Sequence, residues 1–205
     1  MPTTIADAFS TVGLIREGVV SWGTKPTTCE PGVYVVSLTE RLDTCDGKST
    51  GAPLSEAEFQ RWLGKRRELT LDGLRPTVPQ LMDRIGRFWI PDEVILYIGL
   101  AGTSLSTRLG QYYTTPIGDR SPHAGGYFIK LLSNLNQLWV HHARYPDPEL
   151  AEDRMLRRFC EHVSQDSRRT LLDPAHPFPF ANLEWCARKA HGLRGACARK
   201  RKRGS

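Results

Sequence analysis

The stretch that decides the fold is VILYIGLAGTSLSTRLGQYY, residues 94–113. Its first part, VILYIGL at 94–100, is a short apolar run containing one tyrosine and one glycine, which predicts a buried strand. After Gly102, the segment 103–113 has its apolar residues at helical spacing, which predicts a helix. A strand that leads directly into a helix indicates a fold with both kinds of element.

The predicted helix carries a charge on its apolar face. Leu105, Arg108, Leu109 and Tyr112 are spaced i, i+3, i+4 and i+7, which puts them on one side of a helix. A guanidinium that is partly removed from water destabilises the protein unless it is paired or hydrogen-bonded. Arg108 therefore requires a partner.

A later helix repeats this arrangement with the opposite charge. The sequence predicts a helix over 147–163, capped by Asp147, in which Glu152 stands at the head of an apolar stripe that continues through Leu156 and Phe159. Two interpretations of the charges stay open. In the first, the charges form an internal Arg108–Glu152 salt bridge or reach solvent at the rim of the stripe. In the second, they surround a ligand.

The rest of the chain extends the α and β pattern. GVYVVSL at 32–38 and the segment 137–145 are predicted strands. Helices are predicted over 4–20, over 55–69 with a capping box from Ser55 to Glu58, over 77–89 and over 127–135. The fold class is therefore α/β in the α+β sense, with a small mixed or antiparallel central sheet flanked by helices.

Composition limits the domain organisation and the compartment. The chain has 205 residues, which favours a single domain over 1–185, with a mainly helical insertion at 39–93. No apolar run is long enough to cross a bilayer, and the N-terminus lacks the pattern of a signal peptide. Five cysteines at irregular spacing fit free thiols in a reducing compartment. We expect a cytoplasmic protein that does not associate with membranes.

The positive charge is concentrated at one end. The formal net charge is +6, but residues 186–205 contain eight of the 28 basic residues and no acid, which leaves 20 basic against 22 acidic residues in 1–185. Such a block is typical of a flexible, solvated tail. It would attract polyanions in a salt-sensitive way, so it favours a nucleic-acid partner.

An ordered set of residues resembles the GIY-YIG nuclease superfamily. The set comprises GVY at 32–34, YIG at 97–99, Arg108, Tyr112 and Glu152, in the order of the superfamily's motifs. The resemblance implies a GIY-YIG-like core, with the helical insertion between the first two motif strands.

The resemblance also implies a role for each matching residue. Tyr34 and Tyr97 would orient or activate the attacking water, Arg108 would hold the scissile phosphate, and Tyr112 would lie near the nucleophile. Glu152 would be the protein ligand of a divalent metal, Mg²⁺ or Mn²⁺. Asn182 is the candidate for the asparagine that many members carry after the glutamate, although it lies 30 residues beyond Glu152.

Basic residues outside the motif are candidates for contacts with DNA, although a solvated charged face or a glycine turn explains the same patterns. The candidates are Arg61, Lys65, Arg66, Arg67, Arg120, His123 and Lys130.

The predicted function is that of a metal-dependent endonuclease that hydrolyses phosphodiester bonds of DNA, in its double-stranded form, in restriction or genome defence. A repair or mobile-element nuclease is a near alternative, and a nucleic-acid-binding protein that keeps the fold without cleaving is an alternative of another class. A double-strand cut usually requires two active sites, so a homo-oligomer stays open.

Overall fold

A four-stranded antiparallel sheet lies at the centre of the protein, whose computed structural model describes residues 2–44, 51–123 and 125–198. Within these ranges the strands are β1 Gly18–Ser21, β2 Gly32–Ser37, β3 Thr70–Leu71, β4 Ile95–Ala101, β5 Trp139–Arg144 and β6 Leu193–Arg194. The α-helices are α1 Ile5–Ser10, α2 Glu56–Lys65, α3 Val78–Gly86, α4 Leu105–Thr114, α5 Pro148–His162 and α6 Gln165–Thr170. Two 3₁₀ helices span Tyr127–Leu131 and Leu135–Gln137.

The strand order of the sheet is β1-β5-β2-β4, and each neighbouring pair is antiparallel. Tyr34 of β2 lies opposite Gly99 of β4, and Val36 lies opposite Tyr97. Residues that face each other across an antiparallel pair point to the same side of the sheet. The register therefore brings Tyr34 and Tyr97 onto one face.

Both faces of the sheet are covered. The face that carries Tyr34 and Val36 packs in a core with Leu105 and Leu109 of α4, and the opposite face, with Val33, packs against α1 and α5. All six residues of β2 are buried as a result. A strand with no solvent side needs a continuous apolar run, which is the pattern of GVYVVSL.

The coarse fold prediction is confirmed, since the chain has both helices and an antiparallel sheet flanked by them. The predicted helix over 4–20 is wrong beyond its first part. A Thr4–Asp7 capping box starts α1, but the helix ends at Ser10, and Gly13 with φ 70° reverses the chain before β1. β1 obtains its backbone hydrogen bonds from β5, far along the chain.

Two other local predictions also differ from the structure. Ser55 precedes α2, but its side chain forms no capping hydrogen bond. The helix predicted over 127–135 consists of two 3₁₀ turns, since Ile129 N–H donates to Gly126 O and Leu132 N–H donates to Ile129 O, three residues back in each case.

The insertion and the C-terminal segment pack together. β3 of the insertion pairs with β6, and the indole N–H of Trp62 donates to Ala196 O at 2.8 Å. Arg66 donates to Gly195 O and to Cys197 O. Residues 186–198 are thus folded onto the body, in contrast to the flexible tail expected from their charge, because the insertion supplies a strand and side-chain donors for their backbone.

A buried lysine fixes the same segment from the other side. Lys189 is 3% exposed, and its ammonium donates to the carbonyl oxygens of Phe178, Pro179 and Phe180 at 3.2, 2.8 and 3.2 Å. The rest of the predicted tail, 199–205, and residues 45–50 of the insertion lie outside the described residues. No helix in the described part is long and apolar enough to cross a membrane.

Candidate active site

Three tyrosines from three different elements meet on one face of the sheet. The ring centroids of Tyr34 and Tyr97 are 5.9 Å apart, those of Tyr97 and Tyr112 are 5.6 Å apart, and those of Tyr34 and Tyr112 are 6.3 Å apart. Tyr34 comes from β2, Tyr97 from β4 and Tyr112 from α4. The sequence motif is thus assembled into one cluster by the strand register and by the helix that follows β4.

Gly99 makes room for this cluster. A Cβ at residue 99 would lie 2.6 Å from Cε1 of Tyr97 and 2.8 Å from Cζ and from the hydroxyl oxygen of Tyr34. Carbon atoms do not approach so closely, and the rings belong to a packed core. The glycine of the YIG segment is therefore required because both tyrosine rings cross the space that its side chain would fill.

Two of the tyrosines are held by polar partners inside the protein. The Tyr34 hydroxyl oxygen is 3.3 Å from Nε2 of His123, and the Tyr112 hydroxyl donates to Gly126 O at 2.6 Å. The His123 ring also stacks on Tyr112 with centroids 4.4 Å apart and an angle of 12° between the planes. Tyr34 and Tyr112 are fully buried, whereas Tyr97 is 8% exposed. Of the three, Tyr97 is the one that borders an open cavity.

The environment keeps these groups neutral. Burial raises the pKa of Tyr34, of Tyr97 and of Tyr112 above the ordinary value, and Arg108 opposes that rise in each case. Burial, together with Arg108 and Lys130, lowers the pKa of His123 to about 3. A neutral imidazole has one N–H donor and one lone pair on its two ring nitrogens, so the tautomer of His123 decides whether Nε2 accepts from the Tyr34 hydroxyl or donates to it.

Arg108 lies on α4 among the residues that the helical spacing predicts. Leu105, Leu109 and Tyr112 are buried and Arg108 is half-buried. Its Nε atom is buried and has no hydrogen-bond partner among the described residues. A guanidinium is a strong donor that retains its charge throughout the physiological pH range. Arg108 thus keeps unused hydrogen-bonding capacity near the tyrosines, whose pKa values it acts to lower, and it lines a groove of about 290 Å³ together with Leu100 and Gln111.

Glu152 on α5 is the acidic counterpart. The side chain is half-buried, and burial raises the pKa of its carboxyl to about 7, although Arg108 acts to lower it. Within the described ranges, neither Glu152 nor Arg108 takes part in an ion pair within 4.0 Å. The internal salt bridge that the sequence left open is therefore not formed. Arg108 and Glu152 affect each other's electrostatic environment and that of the tyrosines, but among the residues that the structure describes neither has an ion-pair partner.

A cavity of about 570 Å³ opens beside this cluster. Tyr97, Glu152 and Asn182 contribute to its wall. The side-chain amide of Asn182 donates to Ile98 O at 2.8 Å, and its carbonyl oxygen accepts from Ile98 N–H at 3.0 Å. The side chain of Asn182 thus forms with Ile98 the two backbone hydrogen bonds that a neighbouring strand would form. These bonds hold Ile98, the residue between Tyr97 and Gly99.

Glu152 is the carboxylate beside the tyrosines that could hold a metal ion. The residues described contain no group of three or more histidine, cysteine, aspartate or glutamate side chains that could hold a metal ion. Glu152 is half-buried, lacks a cationic partner within the described part of the chain and borders the cavity, so a divalent ion held there would take its other ligands from water and substrate.

Most of the basic residues proposed for DNA contact in the insertion are already paired. Arg61 forms an ion pair with Glu58, Lys65 with Asp119, and Arg66 with Glu68. Arg67 is exposed, but it lies outside the residues that line the cavity. The insertion therefore uses these basic side chains chiefly for contacts within itself, with the loop after α4 and with the C-terminal segment.

The three candidates between α4 and β5 have different surroundings. Arg120 is exposed and lines the cavity. His123 is 3% exposed and its partner is Tyr34, so a direct contact with DNA stays a prediction and would require the surrounding residues to move. Lys130 is half-buried and donates to Thr115 O, and burial lowers its pKa to about 8.

Sequence reasoning missed two cavity residues, one strand pairing and one side-chain contact. Arg188 and Arg194 line the cavity although they belong to the expected tail. The β3–β6 pairing that positions Arg194 covers two residues in each strand, which is too short to produce an alternating pattern. His123 beside Tyr34 joins residues 89 positions apart, so no local spacing could reveal it.

Comparisons with protein-family models, with curated proteins and with solved structures found no match for this chain.

Proposed function

We propose that the protein is a metal-dependent endonuclease that hydrolyses phosphodiester bonds of DNA. The observation that carries the proposal is the pair Arg108 and Glu152, two half-buried residues that form no ion pair within the described part of the chain and that lie close enough to the tyrosine cluster to shift its pKa values. Glu152 lines the cavity with Tyr97, and Arg108 lines a separate groove. A phosphodiester and a divalent cation are the ligands that would satisfy these two charges together. The resemblance to the GIY-YIG nuclease superfamily supports the same reaction and a role in restriction or genome defence.

Each residue has a task that its surroundings permit. Arg108 can donate a forked pair of hydrogen bonds to phosphate oxygens and offset the charge that gathers on them during attack. Tyr97 borders the cavity and can orient a water molecule there. Glu152 would hold Mg²⁺ or Mn²⁺, which when bound supplies positive charge to the phosphate and to the leaving oxygen.

The raised pKa values of the tyrosines favour hydrogen bonding over proton abstraction. A phenol whose pKa lies above 10 is protonated at neutral pH, so Tyr34 and Tyr97 enter the reaction as neutral hydroxyl groups. Tyr34 is fully buried, and its contact with His123 fixes the hydroxyl. We assign Tyr34, Tyr112 and Asn182 to positioning, and Tyr97, Arg108 and Glu152 to contact with the reacting groups.

The first prediction concerns cleavage. Plasmid DNA and single-stranded DNA are incubated with the protein in Mg²⁺, in Mn²⁺ and in EDTA, and the products are separated by electrophoresis. We expect cleavage with metal, none in EDTA, and a loss of about 10²-fold or more in Glu152→Gln, because the amide cannot supply the carboxylate charge. Discrete fragments would support a restriction-type enzyme.

The matched control is Arg154→Gln, which changes an exposed residue of the same helix that lines a separate groove. It should cleave as the unchanged protein does. Tight DNA binding without cleavage of any substrate would favour the non-cleaving binding protein and contradict the nuclease.

A further inference from the structure

The cavity carries arginines that the structure leaves without partners. Arg120, Arg188 and Arg194 are exposed, and in the described part of the chain none of them takes part in an ion pair or donates a side-chain hydrogen bond. The carboxylates that line the same cavity are Glu152 and Glu184. Three cationic and two acidic side chains thus line the cavity, so its wall carries a positive excess even without a metal.

The basic residues of the insertion provide a contrast. Arg66 is bound by Glu68, Gly195 O and Cys197 O, and Arg84 is bound by Asp72 and by His191 O. Side chains whose N–H groups already donate to protein acceptors have fewer donors available for a phosphate. The insertion therefore contributes to substrate binding mainly by holding residues 186–198 against the cavity.

This support gives Arg188 and Arg194 an ordered backbone. Arg194 lies in β6 and is paired with Thr70 of β3. Its neighbour Leu193 is buried. Arg188 directly precedes the buried Lys189. A side chain on an ordered backbone loses less conformational entropy on binding than one on a flexible tail, so each contact contributes more to affinity.

We propose that Arg120, Arg188 and Arg194 bind the phosphodiester backbone of duplex DNA and hold one strand across the cavity, next to Tyr97 and Glu152. The proposal rests on the proposed function and names the surface by which that site would take its substrate. Guanidinium groups donate in pairs to phosphate oxygens, and backbone contacts of this kind fix position without reading sequence. Arg120 comes from the loop after α4 and the other two from the C-terminal segment, so the three arise from two separate parts of the chain.

The test measures binding without cleavage. A labelled duplex oligonucleotide is titrated with the protein in EDTA over a series of salt concentrations. The variants are Arg120→Gln, Arg188→Gln, Arg194→Gln and the three combined, and Arg154→Gln is the control, since that arginine is exposed and lines a different groove. Thermal unfolding checks that each variant is folded.

Each lost phosphate contact should reduce the slope of log K against log salt by about 0.9. The combined variant should therefore lose about 2.7 units of slope, with weaker binding at every salt concentration, whereas Arg154→Gln keeps the slope of the unchanged protein. An unchanged slope in the combined variant would overturn the proposal, as would an equal loss in Arg154→Gln. Tighter binding of single-stranded DNA or of RNA than of duplex DNA would overturn the choice of partner.

The result of this binding test does not depend on whether the protein cleaves DNA. If the protein binds duplex DNA through these arginines but never cuts it, the nuclease proposal fails and this one stands. If the protein cuts DNA and the combined variant binds and cuts equally well, this proposal alone fails.

Discussion

At the scale of the residue, the tyrosines of the cluster differ in whether they border the cavity. Tyr97 borders the cavity, whereas Tyr34 lies behind it with its hydroxyl oxygen 3.3 Å from Nε2 of His123. A buried hydroxyl with a polar partner stays fixed, because moving it would leave both groups unpaired. We infer that Tyr34 acts by holding the cluster in one arrangement.

We therefore predict that Tyr34→Phe slows cleavage by about 10²-fold, since the ring still packs but the hydroxyl contact with His123 is lost. The measurement is the single-turnover rate at saturating metal, together with thermal unfolding. Tyr113→Phe is the control, because the Tyr113 hydroxyl is buried and has no hydrogen-bond partner in the described residues. Removing that hydroxyl should leave the rate unchanged and the stability equal or higher. A Tyr34→Phe protein as fast as the original would contradict a fixing role.

The residues that sequence could predict are those with a local signal. Arg108 and Glu152 stood out because a charge interrupts an apolar stripe, and both are half-buried without an ion pair in the described part of the chain. The partner of Tyr34 and the strand-like bonding of Asn182 to Ile98 could not be predicted, since each joins residues more than 80 positions apart.

At the scale of the element, the β2–β4 register and the turn into α4 determine the site. Gly99 lies opposite Tyr34 in that register, and its missing side chain leaves the space that both tyrosine rings occupy. The same segment continues through Gly102, where a Cβ would meet nothing within 4 Å. The two glycines thus differ in what surrounds them although they are three residues apart.

This difference predicts opposite outcomes for two alanine substitutions. Gly99→Ala should force the rings of Tyr34 and Tyr97 apart, with a loss of stability of about 1–3 kcal/mol and a larger loss of cleavage activity. Gly102→Ala should retain both properties. Urea unfolding and cleavage rates measured on both proteins check the prediction. Equal activity of the two variants would show that the ring positions do not matter.

Elements whose cap and apolar spacing both lie within a single short segment were predicted correctly. The helix over 147–163 has its predicted cap, since Asp147 accepts from Leu150 N–H at 3.1 Å. β1 was missed because a four-residue edge strand gains its hydrogen bonds only from β5, where Gly18 lies opposite His142. Pairing over such a separation cannot be inferred from spacing within the strand.

At the scale of the whole molecule, the insertion and residues 186–198 form one folded unit with the sheet. Leu193 of β6 is buried in the core that also contains Tyr34 and Tyr97, and β6 pairs with β3 of the insertion. Composition had indicated a solvated tail, because charge density describes the side chains and not the backbone pairing available to them.

Substitution at Leu193 tests this integration. Leu193→Ala should lower the free energy of unfolding by about 2–4 kcal/mol, because it creates a cavity in the core. Leu74→Ala removes a leucine that is 76% exposed, so its effect should stay within about 0.5 kcal/mol. Urea denaturation followed by tryptophan fluorescence compares the two. A Leu193→Ala protein as stable as the Leu74→Ala protein would indicate that the segment is not part of the cooperative unit.

The position of this segment in the chain has a consequence for synthesis. The ribosome makes Tyr34, Tyr97, Arg108 and Glu152 before it makes the residues that complete the cavity wall, and β3 has no β6 to pair with until then. A nascent chain can thus contain Tyr34, Tyr97, Arg108 and Glu152 while it still lacks Arg188 and Arg194 of the cavity wall. The wall of the cavity is completed only after residue 197 has left the exit tunnel.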